Sequence, residues 1–159
     1  MMSESHSPDP VPSSPQDVSD SLFRQLAEGL PQIVYVTRLD GSIEFFNKRW
    51  TDYTGLTNAD SDILAQAVHP DDLPVLANRW VEAMAKGTML TCEFRLRRQS
   101  DGAYRWFLTR SIPVRDPNGK VVRWFGTSTD IDDTRMAGLA LAEANRRKDE
   151  FLEIGRAHV

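Results

Sequence analysis

Between Lys120 and Arg135 the chain changes character within a few residues. Val121, Val122, Trp124 and Phe125 are β-branched or aromatic, as a strand requires. Thr127, Thr129, Asp130, Asp132 and Asp133 then form an acid-and-threonine cluster of the kind that starts a helix. A strand that runs straight into an outgoing helix is a place where a change inside a domain can be passed on. Its acids have two roles to fill, closing a sheet edge and capping the helix.

The rest of the chain has to supply the sheet. At 159 residues it can hold one domain plus tails, and a 40% hydrophobic fraction supports a core. A net charge of -4 argues against a general binder of nucleic acid or anionic membrane. The single Cys92 excludes a disulfide framework and a Cys-based zinc site. The N-terminus has no basic segment followed by an apolar run, and no stretch approaches the length of a membrane span. The expectation is a soluble, cytoplasmic single-domain chain.

Residues 1–20 are Ser/Pro-rich and acidic, and read as a disordered tail. A short helix is expected from Ser21 to Gly29. Ile33 to Thr37 and Ile43 to Phe46 read as strands joined by an Asp40-Gly41 hairpin turn. Asn47 is placed to cap a short helix that Gly55 stops, and a second short helix is expected from Ala59 to Ala67. Asp71 and Asp72 precede the strongest helical pattern, in which Leu73, Leu76, Ala77, Trp80, Val81 and Met84 form one apolar stripe ending near Gly87. Leu90, Cys92, Phe94 and Leu96 alternate with polar residues, the mark of a strand with one buried face. Turns at Asp101-Gly102 and Asp116-Pro117-Asn118-Gly119 separate it from two more strands, Tyr104 to Val114 and Val121 to Thr129. Two strands, short helices, then three strands predict an α+β fold: one five-stranded antiparallel sheet with helices gathered on one face.

In order and spacing, several motifs resemble the PAS sensory-domain family, and within it the subgroup with a C-terminal PAC motif. They are Asp40-Gly41-Ser42-Ile43 with Asn47 and Trp50; Tyr53-Thr54-Gly55; Val68-His69-Pro70-Asp71-Asp72; Glu93-Phe94-Arg95-Leu96; Tyr104-Arg105-Trp106; Pro113-Val114-Arg115-Asp116; and Gly126-Thr127 through Asp130-Ile131-Asp132-Asp133. The resemblance covers about residues 22 to 134, with the domain set at 21–134. It implies a pocket between the sheet's concave face and the helices, lined by Tyr35, Phe45, Trp50, Trp80, Phe94 and Trp106. It also implies a relay of signal through Asp130, Ile131, Asp132 and Asp133. A filled aromatic core without a ligand is the alternative.

The family's cofactors are weighed residue by residue. Haem needs an axial ligand, and Leu73 to Lys86 carries no His; Met84 is explained by the stripe. His69 precedes Pro70 and suits a turn. A photoreactive flavin needs a Cys in a helix, whereas Cys92 falls on a strand as a buried thiol. Non-covalent flavin or a small organic acid stays open, and no metal site is expected. The visible chain holds no phosphate loop and no nucleophile motif, so catalysis within it is not expected.

Past the domain, 135–152 reads as a signalling helix. Leu141, Asn145, Lys148 and Leu152 are spaced for a parallel coiled-coil seam, which implies a homodimer. Asn145 to Leu152 resembles the start of a sensor histidine kinase's dimerisation and phosphoacceptor domain. Glu153 to Val159 departs from that motif, so His158 is not assigned as phosphoacceptor; these residues read as a foreign tail, with Gly155 breaking the helix. The resemblance implies the sensory module of a two-component kinase whose ATP-using region and response-regulator partner lie outside this chain. The alternatives are a regulatory module of a diguanylate cyclase and a stand-alone interaction or dimerisation module.

Overall fold

A computed structural model describes residues 15–57 and 62–157. The elements are α1 (Pro15–Gly29), β1 (Ile33–Thr37), β2 (Ile43–Phe46), α2 (Lys48–Thr54), α3 (Ile63–Ala67), α4 (Leu73–Lys86), β3 (Leu90–Arg97), β4 (Tyr104–Arg115), β5 (Val121–Asp130) and α5 (Asp132–Ala157). The five strands form one antiparallel sheet in the order β2-β1-β5-β4-β3. This is the α+β sheet expected from the strand pattern.

Two features of that sheet were not expected. The strand that feeds the exit helix lies at the centre, because β1 pairs with the side of β5 that β4 leaves free. Its terminal acids therefore close no edge. In addition, α1 lays Phe23 against Phe45 and Phe125, 5.7 and 5.8 Å between ring centres, on the face opposite the other helices. α1 begins at Pro15 rather than Ser21, and proline suits a first helical turn. The rest of the expected tail, 1–14, lies outside the described residues, as does the start of the expected 59–67 helix.

β3 alternates as its sequence predicts, with Leu90, Cys92, Phe94 and Leu96 buried. In α4 the stripe shifts: Ala83 is buried, while Val81 is 65% exposed and Met84 is 38% exposed. Adjacent positions 80–81 and 83–84 straddle the same helical face, and packing on the core selects Ala83 and Trp80, whose ring meets Trp124 of β5.

Two residues read as helix caps serve longer-range bonds. Asn47 makes no cap bond to α2. Fully buried, it accepts from the Val34 N–H at 2.9 Å and donates to the carbonyls of Ala27 and Gln32 at 2.8 and 2.9 Å. Asp72 likewise caps nothing in α4 and pairs with Arg95 of β3. α5 runs through Gly155 to Ala157 without a break, since one glycine costs only about 1 kcal/mol in a helix.

Candidate functional site

The inner face of the sheet and α2–α4 enclose a cavity of about 300 Å³. Strand parity decides which side chains reach it. Ile33, Tyr35 and Thr37 of β1 point inward, as do Phe46 of β2, Phe94 of β3, Thr109 of β4 and Ser128 of β5. Trp50, Leu64, Leu73, Leu76 and Trp80 close it from the helices. At the hairpin, Gly41 has φ +85°, and a Cβ there would lie 3.1 Å from Trp80 Nε1, so only glycine lets the Trp80 ring settle against the turn.

Of the six aromatic residues expected at the pocket, Tyr35, Trp50, Trp80 and Phe94 line the cavity. Phe45 and Trp106 do not. Phe45 pairs with Val36 and Trp106 with Arg95, both on the outward parity, and Phe45 packs on Phe23 instead. In each case the neighbouring aromatic, Phe46 or Phe107, takes the inward side. The inward polar residues Thr37, Thr109 and Ser128 were not among the expected lining, although their spacing from Tyr35, Phe107 and Trp124 places them on the buried parity.

Tyr35 crosses the central strand to reach Thr109, Oη to Oγ1 2.6 Å. It does so directly over Gly126, where a Cβ would overlap its ring. Burial pushes the Tyr35 phenol up from its ordinary value, against the opposing hydrogen bond from Thr109, so the ring is neutral at physiological pH. Two buried polar atoms of the lining residues have no hydrogen-bond partner among the described residues: Thr37 Oγ1 and Trp50 Nε1. No His, Cys or Met lines the cavity among the described residues. Cys92 is buried on β3, and burial raises its thiol pKa. Among the described residues, no three His, Cys, Asp or Glu side chains are grouped as a metal site requires.

A second constellation lies at the end of the sheet, at the junction of β5 and α5. Asp130 ends β5, and its Oδ1 accepts from the Asp132 N–H at 2.9 Å, so the helix start is capped from the strand. Asp132 in turn accepts from the Trp106 N–H at 3.1 Å, and the Ile131 N–H donates to the Trp106 carbonyl at 2.8 Å. Arg105 bonds Asp130 at 2.7 Å and Asp133 at 3.2 Å. The four residues expected to relay a signal thus meet at the first turn of α5, tied to Arg105 and Trp106 of β4.

A further chain of contacts, not anticipated from the sequence, leads from this junction to α4. Asp72, at the start of α4, holds Arg95 through two bonds of 2.9 Å and also accepts the Arg95 N–H at 2.8 Å. The Arg95 guanidinium lies 5.0 Å from the centre of Trp106, and Arg135 of α5 lies 3.9 Å from the same ring. Arg135 also bonds Glu93 at 2.8 Å. Alternating Arg residues on the wet parity of β3 were the only sequence signal for it.

The sheet order, the helices on its inner face and the enclosed cavity define a PAS-type domain. The family model for the PAS fold matches residues 43–128, and the chain belongs to that family. It is 36% identical over 128 residues to an uncharacterized protein, y4lL, of Sinorhizobium fredii, covering 78% of this chain and 15% of that protein. It is 34% identical over 120 residues to the peroxide stress-activated histidine kinase mak1 of Schizosaccharomyces pombe, covering 73% and 7%. The chain therefore spans less than a sixth of either relative. The crystal structure of a PAS domain from Colwellia psychrerythraea superposes with a TM-score of 0.60 at 20% identity, over 72% of this chain and 98% of that one. No helix of the described residues is long and apolar enough to cross a membrane.

Proposed function

We infer that this chain is the sensory module of a cytoplasmic two-component histidine kinase, regulating a catalytic region that lies beyond it. A small ligand or partner acting at the cavity shifts the packing of α4 on the sheet. That shift reaches α5 along Asp72, Arg95, Trp106 and Arg135, and at the strand end through Asp130 to Asp133. α5, paired with its copy in a homodimer, carries it to the phosphoacceptor region. There the intact parent would transfer phosphate from ATP to its own His and on to a response regulator. The observation that carries this reading is the contact chain joining the cavity helix to the first turn of the exit helix. Each contact has a discrete geometry, so two packings of α4 would bias two settings of α5. The similarity to named histidine kinases supports the kinase output.

The test is Asp130→Ala in the intact parent. Autophosphorylation should change by about 5-fold or more, the usual size of an allosteric coupling, with ligand affinity held within about 2-fold. Loss of affinity with normal kinase control would refute the relay. A Gly-Gly-Asp-Glu-Phe motif downstream, in place of the phosphoacceptor His motif, would move the same module to a cyclic-dinucleotide cyclase.

A further inference from the structure

We propose that His69 is a proton-operated switch at the start of α4. On taking a proton it releases the turn that presents Asp72 to Arg95, and so loosens the clamp between α4 and β3. The switch is an input separate from the cavity. Its downstream effect rests on the relay proposed above, whereas the switch itself is complete in this chain.

The turn from Val68 to Asp72 is built around His69. Val68 bridges to Leu96 at the edge of β3, and the His69 N–H donates to the Arg95 carbonyl at 2.9 Å. The His69 carbonyl accepts the Asp72 N–H at 2.9 Å, with Pro70 stiffening the turn between them. The ring completes the turn: Nδ1 accepts the Asp71 N–H at 3.1 Å. Asp72, set in place this way, accepts the Arg95 N–H and grips the Arg95 guanidinium with both oxygens. Arg95 is also the group through which this end of α4 meets Trp106.

A ring nitrogen that accepts from an N–H carries no proton of its own. The bond to Asp71 therefore requires a neutral imidazole with its proton on Nε2. An imidazolium donates from both nitrogens. Once Nδ1 is protonated, two N–H groups face each other and the bond becomes a repulsion. Imidazole is the side chain that makes this change between about pH 5 and 8. The His69 side chain is 23% exposed, so protons reach it without unfolding.

The surroundings decide where the new charge acts. Among the described residues, the charged and titratable groups around the ring are Asp71 and Asp72 of its own turn, Arg95 of β3 and Tyr104 of β4. Tyr104 backs the imidazole, with 4.7 Å between ring centres. The Asp71 carboxylate lies 3.9 Å from Nδ1 but is 78% exposed, so water screens it. Asp72 is 13% exposed, and a positive His69 acts directly on its carboxylate. A charged ring thus competes with Arg95 for the same partner.

The test follows the isotopically labelled 159-residue chain by NMR between about pH 8 and about pH 5.5. The His69 ring carbons, the Asp71 amide and the Arg95 Nε–H should all move with one midpoint, that of the ring. Relative to intrinsic rates, solvent exchange of the Asp71 and Asp72 amides should quicken by about 5-fold or more over that range. His69→Asn keeps an acceptor in the turn, because an Asn side chain bonds the N–H two residues on, and it has no proton to gain. In that variant the Arg95 Nε–H signal should stay still.

The parent chain alone decides the first point: an Asp71 amide that ignores the ring's titration overturns the bond on which the switch depends. An Arg95 Nε–H that stays still while the ring and Asp71 titrate overturns the hold on the clamp, and the proposal with it. The same movement in His69→Asn assigns the effect to another group and overturns it too. The sensory reading is judged separately, by Asp130→Ala in the intact parent, and loss of the switch leaves that reading standing.

Discussion

The guanidinium of Arg135 sits 3.9 Å from the centre of the Trp106 ring, five residues after β5 has ended. Arg95 approaches the same ring, so a single tryptophan holds one cation from the sheet and one from the exit helix. Arg135→Ala should cost about 1 kcal/mol or less of global stability, because the contact is partly exposed. Its larger effect is expected at the helix start. Hydrogen exchange over residues 132–137 should quicken while β4 and β5 keep their protection; uniform loss of protection would count against a local clamp.

Asp72 joins α4 to β3 through charged and backbone bonds to Arg95, and Arg95 holds its carboxyl below the usual range for an aspartate. That stability is fully present above the unfolded-state value of about 3.9 and is lost as pH falls through the lower folded-state value. Chemical denaturation of the parent chain should therefore show a decline on acidification below about pH 4, which Asp72→Asn shallows. At pH 7 Asp72→Ala should cost about 2–3 kcal/mol, since Arg95 loses its partner.

A side chain at position 126 would displace the Tyr35 ring. Gly126→Ala should destabilise the domain by about 1–3 kcal/mol through overpacking. Adding Tyr35→Ala should recover part of that loss, giving a double-mutant cycle with a clearly favourable interaction term. Simple additivity of the two losses in denaturant melts would show that the clash is absorbed elsewhere.

Asn47 uses its amide both as acceptor and as donor at a fully buried position. Asn47→Asp keeps the acceptor for the Val34 N–H but offers no donor to Ala27 and Gln32 when ionised. The loss should exceed about 3 kcal/mol at neutral pH and shrink when the new carboxyl is protonated at low pH. A pH-independent loss in thermal melts would contradict that account.

The sheet was legible because period-two alternation in residues such as Leu90 to Leu96 leaves one solution for the buried face. The cavity was half legible. Tyr35 and Phe94 were found as large aromatics on inward positions, but Phe45-Phe46 and Trp106-Phe107 are adjacent pairs on opposite faces. Composition cannot choose within such a pair; the register of the neighbouring strand does. Asn47 and Asp72 misled for a related reason. Their sequence positions fit local caps, while their bonds reach 20 and 23 residues away along the chain. Local grammar describes which groups are free to bond, and tertiary packing decides with whom.

The exit helix is 26 residues long, or about 39 Å at 1.5 Å per residue, and among the described residues its bonds to the sheet lie in its first turns. It is therefore a lever with its fulcrum at Trp106. A tilt of about 5° at that fulcrum sweeps the far end by roughly 3 Å, about half the pitch of a helix. A displacement too small to disturb the hydrogen-bonded sheet is thereby geared up into one of several ångströms at the far end of α5.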